Sequence, residues 1–119
     1  MTGEIDYNRI NDLLSEVVSS LRGIVRISFK REKLEVGIRD QVQSLNQYLL
    51  NLEHWTVSEE TTPEGWGKLR NFIANAMVDG ESVKRKPESA GYVALFATLS
   101  GACEALLLLM PEGKAPRLY

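Results

Sequence analysis

The sequence predicts a helix-dominated α+β domain with the element order α-β-β-α-α-α. Four segments carry apolar residues at helical spacing, residues 24–39 alternate as a strand does, and residues 92–110 hold one charged residue. The chain has 119 residues, 44% of them hydrophobic and 25% charged. These values are typical of one globular domain, expected over residues 1–110 and followed by a tail over residues 111–119.

The first predicted helix begins at Thr2, a typical N-cap residue, and continues to Arg22. Its apolar residues recur every three or four positions and form one face: Ile10, Leu13, Leu14, Val17, Val18 and Leu21. Gly23 can adopt the left-handed conformation that ends many helices. We therefore expect the first helix to stop at this glycine.

Residues 24–39 are predicted to form a β-hairpin with its turn at Lys30–Lys33. Each half has an apolar residue at every second position: Val25, Ile27 and Phe29, then Leu34, Val36 and Ile38. Asp40 followed by Gln43 resembles a capping box that starts a new helix, and Gly37 weakens a helix that runs through it. The same residues also fit helical spacing, so the alternative prediction is an all-α four-helix bundle with a long second helix.

Two further amphipathic helices are expected in the middle of the chain. One begins near Gln41 and ends near His54. The other begins after Thr62, because Pro63 suits the first helical position, and ends at Asp79-Gly80.

The fourth helix is predicted to open at Pro87-Glu88 and to be central, because a helix that is apolar on nearly all sides must be covered. One face consists of small residues on which another helix can pack closely: Ala90, Ala94, Ala97, Gly101 and Ala105. The second face consists of Leu95, Leu99, Ala102, Leu106 and Leu109. Ser100 and Glu104 mark the strip that reaches water. An ionised Glu104 would be costly inside a bilayer, so we expect no membrane span.

The chain lacks the residue sets that common catalytic sites need. His54 is its single histidine and Cys103 its single cysteine, so neither a His/Cys zinc site nor an intramolecular disulfide can form. No serine lies in a Gly-x-Ser-x-Gly turn, and Gly65-Trp66-Gly67 alone does not make a phosphate loop. We predict no enzymatic activity, no metal and no cofactor. A small helical enzyme with Glu104 in an inner pocket is a competing interpretation.

Two surfaces are candidates for binding. A basic cluster on and beside the hairpin could contact the phosphates of a nucleic acid, or could keep the hairpin edges from pairing: Arg22, Arg26, Lys30, Arg31 and Lys33. Trp55 and Trp66 bracket an acidic loop, where they could bind a partner or clamp two helices together.

The sequence therefore predicts a small cytoplasmic protein that binds another protein as an inhibitor, immunity factor, adaptor or accessory subunit. We expect it to form a homodimer through its apolar fourth helix. The predicted protein-interface residues are Trp55, Trp66, Leu106 and Leu109. Nucleic-acid binding through the basic hairpin is the alternative function. No motif in the chain is specific to a known family.

Overall fold

The described residues form four helices and no strand. The structure, a computed structural model, describes residues 5–30, 36–84 and 93–111. The helices are α1 (Tyr7–Lys30), α2 (Val36–Leu52), α3 (Pro63–Lys84) and α4 (Val93–Leu109). The first turns of α1 and α3 have a clear chemical cause. The carboxylate of Asp6 accepts a hydrogen bond from the Arg9 amide at 3.0 Å, and the Thr62 hydroxyl accepts one from the Gly65 amide at 3.0 Å.

The predicted hairpin is wrong, and with it the α+β order. Residues 24–30 continue α1 and residues 36–39 begin α2, so both predicted strands contain helix. Ile24 and Val25 are both buried, whereas neighbouring positions of a strand face opposite sides. They extend the apolar face of α1 beyond Leu21, which explains why helix prevails over local alternation. The all-α alternative fits the structure. Most of the predicted turn, and the predicted start at Pro87-Glu88, lie outside the described residues.

The four helices run up, down, up and down around one core. The ring of Tyr7 stacks on Trp66 with centroids 6.4 Å apart, so α1 and α3 begin at the same end. Arg70, near the start of α3, donates hydrogen bonds to the carbonyls of Leu107 and Met110 at 3.0 and 3.4 Å. This contact fixes α4 antiparallel to α3 and places a cation at its C-terminal end.

Each helix packs against two neighbours: α1 and α3 each lie between α2 and α4. The core is built from their inward apolar faces. The largest fully buried side chains are Ile10, Leu13, Leu21, Ile24, Leu45, Leu52, Leu69, Ile73, Phe96, Leu99 and Leu106.

Gly23 and Gly80 lie inside α1 and α3, so the helix ends predicted at these glycines are wrong. Both lie where α4 packs closely. A Cβ atom on Gly23 would be 3.3 Å from the Leu95 side chain, and one on Gly80 would be 3.0 Å from Cδ2 of Leu99. A helical glycine costs about 1 kcal/mol relative to alanine. Here the missing side chain gives α4 the room that it occupies.

Replacing Gly80 with alanine is expected to destabilise the bundle, although alanine favours helix. The new Cβ would lie 3.0 Å from Leu99 and 3.6 Å from the Phe96 ring, and both neighbours are fully buried. Overpacking of such a core costs about 1–3 kcal/mol, so urea unfolding should show a net loss of about 1 kcal/mol.

Gly101→Ala is the matched control, because a Cβ atom there would meet nothing within 4 Å. It is expected to stabilise the protein by up to about 1 kcal/mol. Equal stabilisation by both substitutions would contradict tight packing of α4 on Gly80.

Candidate protein-binding surface

The outer side of α4 carries mostly small and apolar residues and a single charged one, Glu104. The buried side contributes Phe96, Leu99, Ala102, Cys103 and Leu106 to the core. The opposite side, which we call the outer α4 face, consists of the exposed residues Ala94, Ala97, Thr98, Gly101, Glu104 and Leu108. The predicted face of small residues therefore lies at the surface, where no other described helix covers it. Ala105 is half-buried at its border, and Ala90 lies outside the described residues.

Leu108 is the most prominent residue of this face. Its exposed fraction is 86%, the highest among the exposed large hydrophobic residues of the described chain. Leu106 is fully buried, and Leu107 is half-buried. Residues two apart on a helix point about 200° apart, so the buried position of Leu106 directs Leu108 to solvent. Covering a leucine side chain stabilises a protein by about 2 kcal/mol.

Two open grooves flank the outer α4 face. The groove beside α3 has a volume of about 580 Å³ and is lined by Met77, Val78, Glu81, Ser82, Ser100 and Glu104. The hydroxyl of Ser100 donates a hydrogen bond to the Glu81 carboxylate at 2.6 Å. The groove beside α1, of about 380 Å³, is lined by Ser15, Glu16, Ser19, Ser20, Leu95 and Thr98. The described residues that line these two grooves thus carry carboxylates and hydroxyls and no basic side chain.

The outward positions of the other helices are more polar. α1 exposes residues such as Glu16, Arg22 and Arg26, and α3 exposes residues such as Lys68 and Asn71. Leu50 on α2 is an isolated exception with an exposed fraction of 57%, whereas Val78 on α3, 61% exposed, lines the groove beside the outer α4 face. Single exposed apolar residues are normal on a protein surface, whereas a continuous apolar face indicates a binding site.

The predicted interface residues lie in different environments. Leu106 belongs to the core, and Leu109 is 42% exposed at the edge of the outer α4 face. Trp66 is only 5% exposed and stacks on Tyr7. Trp55 is half-buried and meets the edge of Phe72 at 6.0 Å between ring centroids. Trp55 thus holds the loop between α2 and α3 against α3, and Trp66 holds the start of α3 against α1.

The predicted basic cluster is not carried by a hairpin. Arg22 and Arg26 are exposed one turn apart on α1, and Arg22 forms an ion pair with Glu53 at 3.3 Å. The Lys30 side chain, Arg31 and Lys33 lie outside the described part of the structure. Nucleic-acid binding stays a prediction, but the hairpin that was predicted to carry the basic cluster does not form.

The competing enzyme interpretation requires Glu104 to lie in an enclosed pocket. Instead, Glu104 is exposed beside an open groove. Within the described residues, no group of three or more His, Cys, Asp or Glu side chains could hold a metal ion. In the same residues, no helix is both long and apolar enough to cross a membrane.

A third cleft, of about 490 Å³, lies between α1 and the loop after α2. Asn11 fixes this loop by two hydrogen bonds with the Val57 backbone. Its side-chain amide donates to the Val57 carbonyl at 3.1 Å, and its side-chain oxygen accepts from the Val57 amide at 2.9 Å. His54 and the Arg22–Glu53 ion pair line the exposed rim.

The chain matches no protein-family model, no curated protein and no solved structure. The case for a function therefore rests on the surface of the chain itself.

The sequence analysis did not identify Leu108 as a candidate binding residue. The available signal was its spacing of seven from Gly101 and fourteen from Ala94, which places all three on one side of a helix.

Asn11→Ala is expected to destabilise the protein by about 1–3 kcal/mol, because the partly buried Val57 amide and carbonyl would both lose their partner. The matched control is Asn71→Ala on the exposed side of α3, where a change within about 0.5 kcal/mol is expected. Urea unfolding of both variants measures the difference. Equal effects would contradict the role of Asn11 in holding the loop.

The buried thiol of Cys103 predicts a loss of stability at alkaline pH. Removal from water raises its pKa from 9.0 to about 12. The folded state therefore favours the protonated thiol. The contribution of the thiol to the free energy of unfolding is complete below pH 9 and is lost as the pH rises toward 12. The expected slope is at most about 1.4 kcal/mol per pH unit.

The Cys103→Ala variant should lack this part of the alkaline decline in the free energy of unfolding. Burial, and hydrogen bonding to Asp79 at 3.0 Å, also raise the pKa of Tyr48, but that residue is the same in both proteins. Identical slopes between pH 9 and 11 would contradict burial of the thiol.

Proposed function

We propose that this chain is a non-enzymatic, cytoplasmic protein that works by binding another protein, as an inhibitor, immunity factor, adaptor or accessory subunit. The outer α4 face is the proposed binding surface. The observation that carries the proposal is that α4 presents Ala94, Ala97, Gly101 and Leu108 to solvent with Glu104 as the single charged residue among them.

The composition of this face suits a protein partner. Interface centres are depleted of charged residues and are surrounded by a polar rim. Here the small apolar residues form the centre, and the serines and carboxylates of the two flanking grooves form the rim. Alanine and glycine let a second backbone approach closely, and Leu108 offers a side chain that can enter a pocket on the partner.

Leu108→Lys is expected to abolish partner binding without unfolding the protein, because this side chain is 86% exposed. A tagged full-length chain would be used to capture proteins from its native extract after nuclease treatment. We expect a stoichiometric protein partner with the unchanged chain and at least tenfold less of it with Leu108→Lys.

Leu50→Lys is the matched control, since Leu50 is 57% exposed on α2, the helix across the bundle from α4. It should capture the partner normally. Equal capture by the two lysine variants would contradict the proposed surface. Recovery of nucleic acid, with loss of the proteins on digestion, would instead support the nucleic-acid alternative.

A further inference from the structure

We propose that the groove between α1 and α4 binds an arginine side chain of the protein that covers the outer α4 face. This inference rests on the proposed function in one respect, namely that the outer α4 face binds a protein. It adds the chemistry of that partner, which combines an apolar surface for Leu108 with a basic side chain beside it.

The groove between α1 and α4 opens directly onto the outer α4 face, because Thr98 belongs to both. Its α1 side consists of Glu16 and three serines, and Leu95 is half-buried at its α4 side. A partner segment that lies along the outer α4 face can therefore place one side chain in this groove.

A buried hydroxyl in this groove lacks a partner within the described chain. Ser20 lines the groove, is only 4% exposed and is the one polar side chain in the buried core that the structure describes. Its hydroxyl forms no hydrogen bond with any described residue. Buried polar side chains are nearly always hydrogen-bonded. The missing partner of Ser20 therefore has to come from outside the chain, through the groove.

The described lining offers hydrogen-bond acceptors and negative charge. Glu16 is exposed one turn before Ser20, so the two residues lie on the same side of α1. The Thr98 hydroxyl donates its proton to the Ala94 carbonyl at 3.1 Å, which leaves its oxygen as an acceptor. A carboxylate only accepts hydrogen bonds, and a serine hydroxyl can accept them as well. A cationic group with several N–H donors matches this lining, whereas an anion does not.

No described basic side chain competes for these acceptors. Arg22, the next basic residue along α1, instead pairs with Glu53 at 3.3 Å, beside the loop after α2. The groove on the α3 side of the outer α4 face is also lined by carboxylates, those of Glu81 and Glu104. A partner with positive charge beside its apolar surface is therefore complementary to this region.

Arginine suits this lining better than lysine. Its guanidinium group has five N–H donors in a fixed plane, so it can bond to the Glu16 carboxylate and the Ser20 hydroxyl together. Its apolar stem can lie on Leu95 while the charged end stays near the carboxylate. Hydrogen bonds between a cation and a carboxylate are about twice as strong as those between neutral groups.

Binding of a synthetic helical peptide to the full-length chain tests this site. The peptide has about 18 residues, or about 27 Å of helix, with a face of alanine and leucine and arginines on both sides of that face. A matched peptide carries citrulline, which keeps the shape of arginine without its charge. Fluorescence anisotropy should show at least about tenfold tighter binding of the arginine peptide, and salt should reduce this difference.

Two substitutions locate the arginine in the groove. Glu16→Gln and Ser20→Ala should each weaken binding of the arginine peptide at least about threefold. Asp40→Asn is the control, because it removes the same charge as Glu16→Gln from α2, across the bundle from α4, and should not change the affinity.

The stability of Ser20→Ala separates a binding role from a structural one. Alanine favours helix, and the lost hydroxyl has no partner among the described residues. The variant should therefore unfold at the same or a higher urea concentration than the unchanged chain. A lower midpoint would overturn the proposal, because the hydroxyl would then be satisfied within the fold.

Equal affinity of the two peptides, or equal losses with Glu16→Gln and Asp40→Asn, would overturn the arginine site. Unchanged binding by Ser20→Ala would also overturn it, since the hydroxyl would then bind water only. A dimer in sedimentation equilibrium that Leu108→Lys dissociates would show that a second copy covers the face, and would overturn the basic partner.

Partner capture from the native extract distinguishes this inference from the proposed function. Glu16→Gln should retain at least about threefold less of the partner than Asp40→Asn does. Loss of the partner with Leu108→Lys, together with normal capture by Glu16→Gln, would overturn the arginine site and leave the proposed function supported. The two proposals can therefore fail separately.

Discussion

The packing of α4 between α1 and α3 is the constraint on which the rest of the structure depends. A helix that is apolar on nearly all sides needs neighbours on every side. Gly23 on α1 and Gly80 on α3 supply two of these contacts by leaving room for Leu95 and Leu99. The third side, with Gly101 at its centre, has no described neighbour within the chain. The same apolar composition that builds the core thus leaves one unpartnered face.

Local sequence signals predicted the start of α3 but not the ends of α1 and α3. Thr62 and Pro63 define the start of α3 because capping is a short-range interaction. Gly23 and Gly80 misled the prediction because a glycine ends a helix or admits a neighbour depending on contacts far away in the chain. Residues 24–39 fitted both strand and helix periods, and only the burial of Ile24 and Val25 together distinguishes the two.

The candidate site was predicted as a helix but not as a set of residues. The apolar composition of α4 indicated an interface, yet the choice of Leu106 and Leu109 placed one residue in the core and one at the edge. The spacing of Leu108 from Gly101 and Ala94 places these three residues on one side of the helix, but it does not tell which side faces the core. The rotation of the helix is set by Phe96, Leu99 and Cys103 packing into the bundle, and this information is tertiary.

A protein partner of the outer α4 face would have to cover Leu108, because this side chain is 86% exposed. Burying this leucine contributes about 2 kcal/mol, which is less than the roughly 4–15 kcal/mol that association costs in translational and rotational freedom. A stable complex therefore needs a partner that also contacts the two grooves beside α4.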